Sequence, residues 1–260
     1  MRCHPHRGQA AGHVSATATA LTTGKQQGPS GPGAAVGRRI GIGLMYSLWK
    51  PRVLGAWRVP ATGPVILAVN HSHGLDGPML MGTAPRPVHF LIKKEAFVGP
   101  LDPFLQGIGQ LKVDRASVDR AAITDALGVL WRGDVLGIFP EGTRGEGDFA
   151  SLRSGLAYFA VRGDAPIVPV AVLGTSGRRG RAVAALPPLR TRVDVVFGDA
   201  FYATDNASGS APGQPGQAPR GRATRAALDA ATVRIQARLS EHVADARRLT
   251  GHETDVRGGP

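Results

Sequence analysis

Short runs of β-branched and other apolar residues recur through the middle of the chain and predict buried strands. The clearest run is Val65–Val69, which follows the turn-forming residues at 62–64. Similar runs predict five more strands, at Val88–Ile92, Gly109–Val113, Val135–Phe139, Ile167–Leu173 and Arg192–Phe197. Pro169 lies inside one of them. Because proline cannot donate a hydrogen bond to a neighbouring strand, it predicts an edge or strand-start position.

Helical stretches fill the intervals between these strands. They are predicted at Met79–Met81, Ser117–Arg132, Leu152–Arg162 and 222–249, the last with an apolar side of Leu228, Ile235, Leu239 and Val243. Because strands alternate with helices, the predicted fold is α/β, a single domain with a mixed central sheet flanked by helices.

Differences in composition divide the chain into a core domain and several flanking segments. Residues 1–37 are rich in Ala, Gly, Thr, Ser and Pro, which predicts a disordered basic tail. Residues 38–58 are apolar with basic flanks, and we interpret them as a membrane-associating segment whose helix ends or kinks at Pro51. The alternative is an ordinary helix packed on the core. The remaining predicted units are a core domain at 59–202, a flexible linker at 203–221, a C-terminal helix at 222–249 and a disordered tail at 250–260.

The charge of the chain indicates an anionic partner. Its 260 residues include 31 Lys and Arg against 19 Asp and Glu, a net charge of +12, and the first acidic residue is Asp76. Nucleic acid, an anionic lipid surface and a phosphorylated substrate all fit this balance. Aromatic residues make up only 5%, which leaves little material for stacking on single-stranded nucleic acid.

Cysteine and hydropathy exclude other classes. The single cysteine, Cys3, excludes a disulfide framework and a four-thiolate zinc site, and it fits a reducing, cytoplasmic compartment. No run approaches the roughly 18 apolar residues that a membrane-spanning helix needs.

The segment Asn70–Asp76 carries the first candidate chemistry, because it directly follows the strand at Val65–Val69. Asp76 is close enough in sequence to accept a hydrogen bond from His71, which would leave the other imidazole nitrogen as a general base. A histidine satisfied within a turn is the alternative. The spacing of His71, His73 and Asp76 also partly matches binuclear metallohydrolases, but a zinc site needs three or four ligands. We therefore expect no metal.

A second strand end carries candidate phosphate ligands. In Phe139–Arg144, Gly142 permits a tight turn, Thr143 adds a hydroxyl and Arg144 offers a planar fork for a phosphate. Lys112 and Arg115 lie near the end of a third strand, either as a second arm of the same pocket or as a solvated strand end.

Four blocks, taken in order, resemble the motifs of the glycerolipid acyltransferase superfamily, in particular the bacterial 1-acylglycerol-3-phosphate acyltransferases. They are N-H-x4-D at Asn70–Asp76, G-x4-D-R at Gly109–Arg115, F-P-E-G-T-R at Phe139–Arg144 and a V-P-V-x3-G strand at Val168–Gly174. A K-x-E element at Lys93–Glu95 is also similar.

The resemblance implies an acyltransferase sandwich that moves a fatty acyl group from acyl-CoA or acyl-ACP, without a further cofactor, to the sn-2 hydroxyl of 1-acylglycerol 3-phosphate. His71 would be the base and Asp76 would orient it. The implied phosphate ligands are Glu141, Gly142, Thr143, Arg144, Lys112, Arg115 and Lys93. Pro169 would line the acyl donor site.

The same resemblance implies lysophospholipid and acyl thioester substrates, acyl carrier protein as a candidate partner, and no nucleic acid. It places the protein peripherally on the cytoplasmic face of the cell membrane. Alternatives are another lysophospholipid or glycerol acceptor and, more remotely, a metallohydrolase or a basic module that binds membranes or nucleic acid.

Overall fold

The computed structural model describes residues 31–114, 116, 119–142, 147–149, 152, 155–175, 186–204 and 224–252. Over these residues the chain forms α1 (Gly31–Leu48), β1 (Lys50–Leu54), β2 (Val65–Val69), α2 (Asp76–Thr83), β3 (Val88–Lys93), α3 (Leu101–Gly107), β4 (Leu111–Val113), α4 (Arg120–Trp131), β5 (Val135–Ile138), α5 (Gly155–Arg162), β6 (Ile167–Leu173), β7 (Arg192–Phe197) and α6 (Arg225–Thr250).

The strands form one seven-stranded sheet in the order β1-β7-β6-β2-β5-β3-β4. Only the pair β6 and β7 is antiparallel, so β1 and β7 run opposite to the other strands. The ends of β2 to β6 and the starts of β1 and β7 therefore lie along one side of the sheet, here termed the C-terminal edge. The predicted mixed α/β sheet is confirmed.

Helices cover both faces of this sheet. Alternate strand residues pack under α1 and α2 on one face, where Met45 and Met79 join the core. The intervening residues pack under α4, α5 and α6 on the other face, where Leu130, Leu156 and Leu239 join it. Burial on both faces explains why β2 and β6 are continuous apolar runs without polar alternation.

Glycines set the distance between α1 and α2. A Cβ atom added to Gly82 would lie 2.6 Å from the carbonyl oxygen of Gly41, so the two backbones touch where neither helix has a side chain. Ala34, Gly37 and Met45 complete the buried side of α1.

The N-terminal predictions are partly wrong. α1 begins at Gly31, so residues 31–37 of the predicted tail are helical. The small residues Ala34 and Gly37 lie on the buried side of this helix, which packs against the rest of the protein. The helix ends at Leu48, before Pro51, as predicted. Pro51 itself lies in β1, a strand that the sequence analysis missed; proline is tolerated there because β1 is at the edge of the sheet.

The predicted edge or strand-start position of Pro169 is also wrong, because β6 lies between β2 and β7. Ile167 pairs with Phe201 and Val170 pairs with Phe197, so three residues of one chain segment stand opposite two of the other. The missing N–H of Pro169 falls within this bulge, where its carbonyl still accepts from the Gly198 N–H at 2.8 Å.

The other predicted elements agree with the structure to within a few residues, and β2, β6 and β7 have the predicted bounds. Residues 1–30, 205–223 and 253–260, which contain most of the predicted tails and linker, lie outside the described residues. Within the described part of the chain, no helix has the length and apolar character needed to span a membrane.

Candidate active site

Asp76 is held rigidly at the C-terminal edge, as the first residue of α2. Its carboxylate is fully buried, and Oδ2 accepts from the backbone N–H groups of Ser72 at 2.9 Å and His73 at 2.7 Å. Oδ1 accepts from the Thr175 hydroxyl at 2.6 Å. Apart from His71, the donors around this carboxylate are therefore neutral.

His71 lies between Asp76 and a cavity. Its Nδ1 is 3.3 Å from Asp76 Oδ2, and its ring centroid is 4.2 Å from that of Phe139. An Nδ1–H that donates to Asp76 leaves Nε2 as the unprotonated nitrogen. The side chain is 17% exposed and lines the cavity wall, so the structure brings together the two predicted residues in an arrangement suited to proton transfer.

Asn70 fixes the loop that carries His71. Its Oδ1 accepts from Val172 N at 2.7 Å, and its Nδ2 donates to Val172 O at 3.1 Å. The side-chain amide thus continues the pairing of β2 with β6 past the end of β2. Gly147, at φ 64°, approaches this amide so closely that an added Cβ would lie 2.9 Å from Asn70 Nδ2.

Glu141 faces the His71 loop. Its Oε1 accepts from the His71 backbone N–H at 3.3 Å. Burial raises the pKa of Glu141 to about 7, against the lowering effect of hydrogen bonds from the backbone of His71 and Phe149. Through this hydrogen bond Glu141 braces the His71 loop, while its implied contact with a phosphate stays a prediction.

Only part of the implied phosphate site is described. Gly142 lines the cavity beside His71 and adopts φ 74°, a conformation that favours glycine. Thr143, Arg144 and Arg115 lie outside the described residues, so their roles stay predictions. Lys93 is exposed at the end of β3 and also lines the cavity.

The structure does not bring Lys112 or Pro169 to His71. Lys112 Nζ is 3.0 Å from Asp102 Oδ1, and β4 is three strand positions from β2, roughly 14 Å away. Pro169 is on the face covered by α6, where it and His242 both approach Gly198, and it does not line the cavity. Its sheet face is opposite to that of the cavity, so a role in lining an acyl donor site there is not supported.

Neither Thr175 nor the cavity was predicted from the sequence. The position of Thr175 directly after Gly174, the last residue of the fourth block, is the feature that could have identified it. The cavity has a volume of about 820 Å³ and is lined by residues of α1, α2, β3 and α3 together with His71 and Gly142. Its walls are mainly apolar and include Ile40, Leu44, Met81, Phe90, Leu101, Phe104 and Ile108. Such walls suit an alkyl chain.

His73 is engaged within its own turn, since its Nδ1 accepts from Leu75 N at 3.1 Å. Among the residues that the structure describes, no group of three or more His, Cys, Asp or Glu side chains is placed to hold a metal ion.

The family match covers the His71–Asp76 site. Residues 50–173, just under half of the chain, match the family model described as Acyltransferase, and this segment contains β1 to β6 together with His71, Asp76 and Glu141. The resemblance predicted from the sequence motifs is confirmed over these residues.

Two relatives of this chain are named 1-acyl-sn-glycerol-3-phosphate acyltransferase. The one from Bacillus subtilis is 34% identical over 127 residues, 48% of this chain and 63% of its own length. The one from Borreliella burgdorferi is 31% identical over 141 residues, 51% of this chain and 56% of its own length. The matched region thus spans less than two thirds of each relative.

A solved structure extends the likeness beyond this segment. The 1-acyl-sn-glycerophosphate (LPA) acyltransferase PlsC from Thermotoga maritima superimposes with a TM-score of 0.55 at 19% identity, over 88% of this chain and 80% of that chain. This match confirms the predicted acyltransferase fold.

Proposed function

We propose that this protein transfers a fatty acyl group from an acyl thioester to the sn-2 hydroxyl of 1-acylglycerol 3-phosphate, forming phosphatidic acid. The observation that carries the proposal is the placement of His71, paired with buried Asp76, in the wall of a large apolar cavity. The names of the relatives, each of which matches about half of this chain, support the choice of acceptor.

In the proposed reaction, His71 Nε2 removes the proton from the acceptor hydroxyl while the oxygen attacks the thioester carbonyl. The tetrahedral intermediate collapses with loss of the thiolate, which takes the proton back from the imidazolium. Asp76 stabilises the imidazolium through Nδ1 and keeps the ring aligned. No acyl-enzyme forms, and the proton balance closes within one turnover.

Different parts of the site would bind the alkyl chain and the phosphate. An alkyl chain would occupy the apolar cavity, while the acceptor phosphate would lie over Gly142 and bind Thr143 and Arg144. Lys93 would contribute a further positive charge at the cavity wall. The donor would be acyl-CoA or acyl-ACP, and no cofactor would be needed.

α1 supports a membrane-associated location. Val36, Ile40 and Leu44 recur every four residues on one side of it and are 44–51% exposed. Residues 31–58 contain Arg38, Arg39, Lys50 and further arginines but no acidic residue. An apolar helix with basic flanks favours the surface of an anionic leaflet. We therefore propose a peripheral position on the cytoplasmic face.

The test is acyl transfer from palmitoyl-CoA to 1-acylglycerol 3-phosphate in vesicles, with His71→Ala compared with His73→Asn. The first variant lacks the proposed base. The second changes a neighbouring histidine but keeps an acceptor for the Leu75 N–H. We expect acceptor-dependent thiol release from the wild type and from His73→Asn, and a loss of about 10²–10⁴-fold in His71→Ala.

Equal turnover by His71→Ala and the wild type would contradict the proposed base. Activity of the wild type only with another lysophospholipid or with glycerol 3-phosphate would contradict the proposed acceptor and leave the chemistry of His71 in place.

A further inference from the structure

Two exposed leucines stand on the segment that precedes β7, here termed the Leu186 loop (residues 186–190). Leu186 is 63% exposed and Leu189 is 66% exposed, with Pro187 and Pro188 between them. Neither leucine belongs to a core cluster or lines the cavity. Exposing two large apolar side chains this close together indicates a contact surface.

The loop is held in place at the end of α1. Trp49, itself buried, donates from Nε1 to Pro187 O at 3.2 Å, and the Arg190 N–H donates to Leu48 O at 2.7 Å. Arg190 adopts φ 63°, a conformation that is unfavourable for a residue with a Cβ atom. These contacts, together with the two prolines, keep Leu186 and Leu189 from folding back onto the core.

The charge around the loop is positive. Lys50 and Arg190 are exposed on either side of the contact with α1, and neither residues 31–58 nor residues 186–192 contain an acidic residue. Asp194, the next acidic residue along the chain, is fully buried and paired with Arg52 and Arg192. Exposed leucines flanked by cations are typical of segments that enter the headgroup region of an anionic leaflet.

The loop lies at the end of a helix that exposes apolar residues. α1 exposes Leu44 and Tyr46 in its last turns, and the end of the helix anchors the loop. Ile40 and Leu44 are 44% and 49% exposed and also line the cavity, as do the exposed Leu101 and Phe104 of α3. The rim of the cavity at α1 and α3 is therefore apolar.

We propose that the Leu186 loop is a second lipid-docking element, which inserts Leu186 and Leu189 into an anionic leaflet and fixes the cavity mouth against it. The inference rests on the proposed function, because a lipid acceptor must pass from the leaflet to His71. A leaflet fits better than a protein partner, because the loop is anchored at the end of α1, whose exposed Ile40 and Leu44 line the cavity that would receive the lipid.

The test compares Leu186→Ser/Leu189→Ser with Val233→Ser/Leu249→Ser. The control pair lies on α6 and has matching exposures of 69% and 67%. Full-length proteins are floated with phosphatidylcholine vesicles that contain or lack phosphatidylglycerol. We expect roughly tenfold weaker partitioning for the loop variant and no change for the control, given the apolar area removed. Equal partitioning of loop variant and wild type would overturn the proposal.

A second variant, Lys50→Gln/Arg190→Gln, keeps both leucines and tests the charge. We expect it to lose most of the gain in binding that phosphatidylglycerol gives the wild type. An undiminished gain would overturn the role of these cations. If the loop variant does not fold, as judged from its thermal unfolding, Leu186→Ala/Leu189→Ala replaces it and should also bind vesicles more weakly than the wild type; equal partitioning would overturn the proposal.

Activity assays separate this inference from the proposed function. On short-chain donor and acceptor in free solution, the loop variant should match the wild type, while on acceptor embedded in vesicles it should be slower. Absence of acyl transfer by the wild type would contradict the proposed function, and the flotation result would still stand. Intact vesicle binding with a selective loss of turnover from a donor on acyl carrier protein would overturn the proposal in favour of a protein partner.

Discussion

Two buried carboxylates lie at the C-terminal edge of the sheet, and each is paired with a partly exposed histidine. Asp76 is 3.3 Å from His71 Nδ1, and Asp194 is 3.0 Å from His252 Nε2. The two histidine side chains are 17% and 18% exposed. By distance and burial alone the two pairs are nearly equivalent.

Their other neighbours differ. Asp76 accepts from two backbone N–H groups and a hydroxyl, and its histidine lines the 820 Å³ cavity. Asp194 is bound by the guanidinium groups of Arg52 and Arg192, where β1, β7 and the end of α6 meet. A histidine–carboxylate pair therefore suits catalysis when the carboxylate has otherwise neutral donors and the second ring nitrogen can reach substrate. When arginines also bind the carboxylate, as at Asp194, the pair has a structural role and holds secondary-structure elements together.

The largest expected effect separates the two histidines. His71→Ala should lower turnover by about 10²–10⁴-fold with little change in thermal stability, because it removes a general base from a cavity wall. His252→Ala should leave turnover near that of the wild type. Steady-state kinetics and thermal unfolding of both variants test this prediction. A comparable loss of turnover in His252→Ala would contradict the distinction between a catalytic His71 and a structural His252.

Next in size is the effect of Asp194→Asn on stability. It leaves two neighbouring guanidinium groups without their shared carboxylate, and we expect a loss of about 3 kcal/mol, at the low end for a buried pair because both arginines are partly exposed. Asp199→Asn is the matched control, since Asp199 also binds an arginine, Arg58, but has an 84% exposed side chain. That control should change the free energy of unfolding by less than about 1 kcal/mol. Equal losses in urea denaturation would refute the fastening role.

Glu141 gives the His71 site a pH dependence of its own. Its pKa is raised from 4.5 to about 7 by burial, so the folded state binds more protons than the unfolded state between these values. Stability should therefore fall as the pH rises through this window, by about 2 kcal/mol after allowance for partial solvent screening. Glu141→Gln keeps an acceptor for the His71 N–H and should remove this slope. An unchanged slope in denaturation across the window would show that another group causes it.

Local patterns predicted the core of the fold and of the site. Val65–Val69 and Ile167–Leu173 were recognisable because a strand buried on both faces is apolar throughout, and His71 and Asp76 lie within one turn of chain. The errors came from long-range context. Pro51 was interpreted as a break because its edge position in β1 depends on pairing with β7, and Pro169 was assigned to an edge because the bulge opposite it involves residues 198–200.

Side-chain contacts between residues distant in sequence could not be predicted from local patterns either. Lys112 was assigned to a phosphate pocket, whereas its ion pair with Asp102 of α3 and its contact with the Phe97 ring depend on how the segment between β3 and β4 is placed. Thr175 meets Asp76 across 99 positions of sequence, through the crossover that brings β6 beside β2.

The smallest expected effect, and the most specific test of how the Asp76 and Asp194 sites differ, comes from Thr175. Thr175→Val removes the hydroxyl donor to Asp76 Oδ1 and keeps the side-chain shape, so we expect roughly tenfold lower kcat with little change in KM, because Thr175 acts on His71 only through Asp76. Thr175→Ser restores the hydroxyl and should recover most of the activity. A stability loss with no change in kcat would place Thr175 with the residues around Asp194, as a structural rather than a positioning residue.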